Sequence, residues 1–333
     1  MSDVITMAHG DGGLLYRELV EQVFRPAFDN EYLDQLGDSA VCPAGAGKLA
    51  LTTDSFVVRP RFFPGGDIGH LAVCGTVNDL AVSGARPLYL TCGMILEAGL
   101  PVAELRRVCD SMAAAARSAG VSIVTGDTKV VEKGACDGVF INTAGVGLFE
   151  REPLPQTVRP GDVLLVSGNV GDHGLAVLAA REELAFQPPL TSDAAPLNGL
   201  IDQLLRAVPE VHALRDATRG GLAAVANEWA EASGVAIMLE EDAVPVDPRV
   251  RSACRLLGLD PLLAANEGKV VAAVPEHRAA AALDALRRHP LGHNAALIGR
   301  ARAAERPVVT LRTAIGTERI LTLPEGEQLP RIC

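Results

Sequence analysis

The stretch Gly65-Gly66-Asp67-Ile68-Gly69-His70-Leu71-Ala72-Val73-Cys74-Gly75-Thr76-Val77-Asn78-Asp79-Leu80-Ala81-Val82-Ser83-Gly84 is the most informative in the chain. Its apolar run, Ile68 to Ala85, reads as a helix, and in a helix Ala72, Gly75, Thr76, Asp79 and Ser83 fall on one stripe at three- and four-residue spacing. That face is small and polar. Glycine inside a helix costs roughly 1 kcal/mol against alanine, so something must come close to the backbone at Gly75. Tight packing in the core explains Gly75 equally well, but it does not explain Asn78-Asp79 amid apolar neighbours.

Outward from this helix the signals alternate between strand and helix. A helix-like stretch runs near Leu14 to Phe28, and β-branched residues mark Leu49 to Val58 as extended. Leu88 to Leu96 reads as a strand, and the Ala-rich run after Pro101 reads as a helix that ends at Ala119 with Gly120 as its cap. Ser122 to Val131 and Val139 to Leu148 follow as strands. Pro153, Pro155 and Pro160 interrupt regular structure and mark a domain boundary. Beyond it the expected elements are strand Asp162 to Ser167, helices after Gly171 and near Leu197 to Ala207, helix Gly221 to Ser233, strands Val235 to Glu240 and Lys269 to Val274, and helix Glu276 to Arg288. Strand signals from Ala296 to Leu323 close the second half. The fold class is α/β and α+β in two domains, 1–150 and 151–323, with 324–333 as a mobile tail broken by Pro324, Gly326 and Pro330.

The chain's 333 residues suit about two domains of roughly 150 residues each. Composition is 48% hydrophobic and 21% charged, which fits an ordered globular protein and excludes a disordered or fibrous one. A net charge of -11 disfavours non-specific binding to nucleic acid or to an anionic membrane. The cysteines number 7 and show no C-x-x-C spacing, so they read as reduced thiols and not as a zinc site. With neither a leader pattern nor an apolar run of ~18 residues, a cytoplasmic location is expected.

Several constellations could carry chemistry. His9, Gly10, Gly12 and Gly13 could close backbone N–H groups around phosphate, or form a frayed terminus. Asp54 stands among Thr52, Thr53 and Ser55; Asp79 follows Asn78; and Asp127 lies in Thr125-Gly126-Asp127-Thr128-Lys129 at a strand end, where Lys129 shares its face if the chain stays extended. Carboxylates ringed by Gly, Thr and Ser suit a hard cation, and Mg²⁺ usually takes one or two of them with waters and substrate phosphates. Surface salt bridges are the alternative. Asp216-Ala217-Thr218-Arg219-Gly220-Gly221 precedes a helix and could hold anion and metal together, or be an ordinary helix start. Asn266-Glu267-Gly268-Lys269 adds an acid and a base, whereas Asp172-His173-Gly174 reads only as a helix start. At the end, Leu329-Pro330-Arg331-Ile332-Cys333 offers a terminal thiol whose thiolate fraction Arg331 could raise.

Together these motifs resemble the ATP-dependent aminoimidazole-ribonucleotide-synthetase-like superfamily, and within it the hydrogenase expression and formation family, over nearly the whole chain. The terminal Pro330-Arg331-Ile332-Cys333 selects that branch. The resemblance implies an amino-terminal α/β domain whose sheet pairs with a second copy in a homodimer, an α+β second domain, and ATP between the two. It implies a carbamoyltransferase partner, HypF, that loads Cys333. ATP and Mg²⁺ then drive dehydration of the carbamoyl group to a thiocyanate, which passes to iron on a HypC–HypD scaffold. By resemblance Cys333, Glu267 and Lys129 are catalytic. His9, Gly10, Gly12, Gly13, Asp54, His70, Asn78, Asp79, Gly126, Asp127 and Arg219 would contact nucleotide, and Asp54, Asp79, Asp127 and Asp216 would hold metal. Two rival readings remain. A synthetase acting on a small free substrate would survive loss of the last three residues, and a maturation scaffold would bind ATP without hydrolysing it.

Overall fold

The computed structural model describes residues 13–19, 21, 40–44, 47–323, 329 and 331–333. A first sheet contains β1 (Ala40–Ala44), β2 (Gly47–Phe56), β5 (Arg86–Glu97), β6 (Ser122–Val131) and β7 (Val139–Leu148), in the order β1-β2-β7-β5-β6. Only β5 and β6 pair in parallel; the other neighbours are antiparallel. Ahead of the sheet α1 spans Leu14–Leu19, while the short β3 (Phe62–Phe63) and β4 (Gly66–Asp67) form a hairpin that leads into α2 (Ile68–Val82). Helix α3 spans Val102–Ala119, starts after Pro101 and ends at the left-handed Gly120, as local backbone chemistry dictates.

Helices α2 and α3 cover one face of this sheet, where Phe56, Ile68, Leu71, Val77, Leu90, Met112 and Ile141 pack as one core. Among the described residues no helix covers the opposite face. Leu51, Val146 and Tyr89 lie in register across β2, β7 and β5 on that face, and Leu51 and Tyr89 are exposed, as is Ile95 farther along β5.

The second sheet gathers β8 (Asp162–Val166), β9 (Ala213–Asp216), β10 (Val235–Glu240), β11 (Val270–Pro275), β12 (Ala296–Ala303), β13 (Val308–Arg312) and β14 (Glu318–Ile320), in the order β14-β13-β10-β12-β8-β11-β9. Its helices are α4 (Asp172–Arg181), α5 (Asn198–Ala207), α6 (Gly221–Ser233), α7 (Pro248–Leu257) and α8 (Ala279–Arg287). Every residue of β8 is buried because both faces of the sheet are covered. Leu164 and Val166 meet α6 through Leu222, Ala226 and Trp229, whereas Val163 and Leu165 meet α5 and α8 through Leu200, Leu204 and Leu286. The short β1 and β9 and helix α7 are not among the elements the sequence predicts; α7 begins at Pro248, capped by Asp247, and Arg249, Arg251 and Arg255 break up its apolar residues. Among the described residues no helix is long and apolar enough to cross a membrane.

Helix α2 is buried on nearly all sides because it serves both sheets. The polar stripe faces the first sheet: Thr76 Oγ1 lies 2.5 Å from Thr143 Oγ1, and Asp79 Oδ2 accepts from Thr52 Oγ1 at 2.7 Å. Gly75 is required by core packing, since a Cβ there would lie 2.9 Å from the Phe56 ring. On another side Asn78 reaches the second domain, donating to the carbonyls of Ala195 (3.1 Å) and Glu267 (3.2 Å) and accepting from the Leu197 amide (2.7 Å). Asn78→Ala is expected to cost about 2–4 kcal/mol in urea unfolding, because several buried backbone groups lose their partner at once. A loss under half a kilocalorie would show that Asn78 does not tie the domains.

Candidate active site

The end of the chain is seated between the two domains. The Val57 amide donates to the Cys333 carbonyl at 3.1 Å and the Arg59 amide to the Arg331 carbonyl at 3.2 Å, so the last residues extend the backbone that follows β2. Ile332 is buried in the first-domain core. The Cys333 thiol then meets Arg219, whose Nε lies 2.9 Å from Sγ.

Arg219 stands just before α6 and Glu267 just before β11, and Asn266 sets both loops. Its amide and side chain donate to the Ala217 carbonyl at 3.0 and 2.8 Å, while its Oδ1 accepts from the Gly171 amide at 2.7 Å. Asn266 is fully buried. The motif in which it sits was legible in the sequence; its bridging role depends on three segments far apart in the chain.

The electrostatics of this group follow from burial. Glu267, only 3% exposed, is pushed well above the usual carboxylate range by desolvation, then by Asp54, Asp216 and Asp193, against the pull of Arg219. Asp54 is also raised by burial, opposed by the Ser55 amide and Arg219. Burial pushes the Cys333 thiol up to about 11, Arg219 opposing and Glu267 and Asp54 adding to the rise. Docked Cys333 is therefore a thiol at neutral pH. The expectation that Arg331 would raise its thiolate fraction is corrected: Arg331 turns to Asp137 and the Val57 carbonyl, and Arg219 is the cation at sulfur.

Asp54, Asp216, Arg219, Glu267 and Cys333 thus form one neighbourhood. Among the described residues no three His, Cys, Asp or Glu side chains are placed to hold one metal ion, so the four carboxylates expected to do so do not form a single ligand set. Asp79 lies against Thr52. Asp127 pairs with Lys129 at 2.5 Å on β6, where both side chains are about 70% exposed. In register, Asp127 matches Gly93 and Asn142 on the open face, whereas Asp54 points toward α2. Strand β6 is three strand spacings from β2, about 14 Å, so Lys129 does not join Glu267 within one chain.

His70 is placed by structure at the domain contact, with Nε2 3.0 Å from the Ala194 carbonyl and 3.4 Å from Cys74 Sγ. Gly126 is demanded by sheet packing, since a Cβ there would lie 2.4 Å from the Cys92 carbonyl oxygen. His9, Gly10 and Gly12 lie outside the described residues, and Gly13 accepts the Arg17 amide at the start of α1. No sequence motif marks Ser192 or Asp193, and His173 reads in the sequence only as part of a helix start. Asp193 is buried against Lys269 at 2.9 Å and accepts the Glu267 and Gly268 amides at 3.2 and 3.3 Å, so it shapes the loop that presents Glu267.

Comparison with known proteins shows the family to which this fold belongs. Residues 36–149 match the AIR synthase related protein N-terminal domain and residues 159–312 the corresponding C-terminal domain. The carbamoyl dehydratase HypE of Azotobacter vinelandii is 51% identical over 331 residues, covering 99% of this chain and 97% of that protein. A crystal structure of a HypE–HypF complex superposes with a TM-score of 0.87 at 49% identity, covering 92% of this chain and 99% of the other. A HypE structure in complex with ATP matches with a TM-score of 0.84 at 49% identity, covering 98% and 100%. A chain with both AIR synthase related domains, half its residues shared with HypE proteins over their full length, and a terminal cysteine seated among buried carboxylates belongs to the carbamoyl dehydratase HypE family.

Proposed function

We propose that this chain removes water from an S-carbamoyl group on its own Cys333, at the expense of ATP, to leave an S-cyano group for the iron centre of a nickel–iron hydrogenase. The observation that carries this reading is the C-terminal thiol held against Arg219 beside Glu267 and Asp54. An amide oxygen leaves poorly, and phosphorylation makes it a good leaving group. The carbamoyl thioester and ATP give thiocyanate, ADP, phosphate and one proton; carbamoyl oxygen departs on phosphate while its carbon–nitrogen bond becomes triple.

Glu267 takes a proton from the carbamoyl nitrogen. Its raised pKa makes it the stronger base once ionised, and Arg219 favours that ionisation. Arg219 also stabilises negative charge where it develops. A surplus of buried carboxylates around one guanidinium is hard-donor chemistry that fits Mg²⁺, with Asp54 and Asp216 as the protein ligands. When bound, Mg²⁺ neutralises phosphate charge.

Two copies pairing through the open face of the first sheet would cover Leu51, Tyr89 and Ile95 together with Lys129 and Asp127, and the reaction roles of Lys129 and Asp127 are assigned to that homodimer. The carbamoyl donor is a HypF-type transferase, the acceptor of cyanide a HypC–HypD-type iron scaffold, and the compartment the cytoplasm. Intact-mass spectrometry of carbamoylated protein tests the reaction. Mg-ATP should remove one water mass at Cys333, and Cys333→Ala should acquire no adduct there. A carbamoylated chain that binds ATP and keeps its adduct would sink the proposal.

A further inference from the structure

Helix α4 presents one stripe to the tail. His173, Val177 and Arg181 recur every four residues along it, and each meets the last residues of the chain. His173 Nε2 lies 2.7 Å from the Ile332 carbonyl; Val177 shares the core cluster of Ile332; Arg181 Nη2 donates to the Arg331 carbonyl at 2.6 Å. Leu329 is seated over the Gly174 backbone, where a Cβ would lie 2.7 Å from Leu329 Cδ1. The carbonyls of Arg331 and Cys333 accept from the first domain, and the intervening Ile332 carbonyl turns the other way, to His173. The tail backbone therefore closes the seam between the domains.

His173 is fully buried and its hydrogen bonds determine its tautomer. A carbonyl can only accept, so Nε2 carries hydrogen toward Ile332. Nδ1, 2.7 Å from Ser192 Oγ, then accepts the hydroxyl proton, and the same Oγ accepts from the Ala194 amide at 3.1 Å. The Ser192 amide is itself bonded to the Pro64 carbonyl at 2.8 Å, and the Phe63 ring packs perpendicular to the imidazole at 5.5 Å between centroids. Burial holds the ring neutral, which this pattern requires.

We propose that His173, oriented by Ser192, is the positioning residue of the tail: by holding the Ile332 carbonyl it places the Cys333 sulfur against Arg219 and in range of Glu267. The clamp touches backbone one residue away from the thiol, so it grips the tail without regard to what the sulfur carries. Its importance for turnover rests on the dehydratase reading; its effect on the tail does not.

The experiment labels Cys333 of the full chain with iodoacetamide at pH 8.5, without ATP or carbamoyl donor, and follows the C-terminal peptide by mass spectrometry. His173→Phe keeps a ring of similar volume against Phe63 and removes the donor, and should label at least tenfold faster than the parent. His173→Gln restores an N–H where Nε2 stood, and should label within about threefold of the parent. Ser192→Ala, which leaves the imidazole in place but frees its tautomer, should fall between the two and serves if the Phe variant does not fold. Equal rates in the parent, His173→Phe and Ser192→Ala would overturn the clamp, as would a Gln variant that labels as fast as the Phe variant. A parent that shows the expected labelling series but never loses water from carbamoyl-Cys333 upholds the clamp and overturns the dehydratase reading.

Discussion

Glu267→Gln is expected to leave carbamoylated Cys333 almost unchanged when Mg-ATP is added, with water loss slowed by about 10²–10⁴-fold in a quenched mass-spectrometric time course. The size reflects loss of a positioned base. Folding should survive, because burial and the neighbouring carboxylates favour the neutral acid at rest, which glutamine matches in shape and lack of charge. The backbone of residue 267 also keeps its tie to Asn78. Water loss at the parent rate would remove Glu267 from the mechanism, whereas an unfolded variant would show that its carboxyl is structural.

Lys269→Met should produce the largest loss of stability, about 3–5 kcal/mol in denaturant unfolding at pH 7, because it strands the Asp193 carboxylate in the interior. Asp193 and Lys269 side chains are 4% and 11% exposed, so solvent does little to screen the pair. The pH dependence gives a second check. Burial alone raises Asp193, and Lys269 and the Glu267 amide more than reverse it, leaving the carboxyl below its ordinary value. In the parent this pair stabilises the fold above the ordinary carboxylate pKa near 3.9, and the contribution fades as pH falls through the depressed value. In the variant burial acts without the lysine, so protonation relieves strain. The difference between the two proteins should therefore be greatest near neutrality and narrow below about pH 4. A gap that does not narrow would assign the loss to packing of the lysine stem.

Local chemistry explains which features the sequence showed. Pro101 and Gly120 bracket α3 because a missing amide hydrogen and a left-handed backbone act within one turn of the residue that causes them. The alternation of apolar runs likewise marked most of the strands. Gly75 reads as a place where another group comes near and Gly126, by resemblance, as a nucleotide contact; in the fold the Phe56 ring crowds the first and the Cys92 carbonyl the second. Those partners are distant in sequence. Helix α7 is obscured in the sequence because Arg249, Arg251 and Arg255 break up its apolar residues, although Pro248 and Asp247 mark its start.

The two-domain α/β character, the polar stripe within α2 and the cysteine at position 333 are legible along the chain. Each is a matter of composition, periodicity or residue identity along the chain. Tertiary structure alone decided that Arg219 and not Arg331 meets the thiol, that Lys129 and Asp127 lie on a different face of the sheet from Asp54, and that His173 holds the tail. Hydrogen bonds act over about 3 Å and depend on direction, so residues separated by more than a hundred positions become partners only when packing brings their segments together.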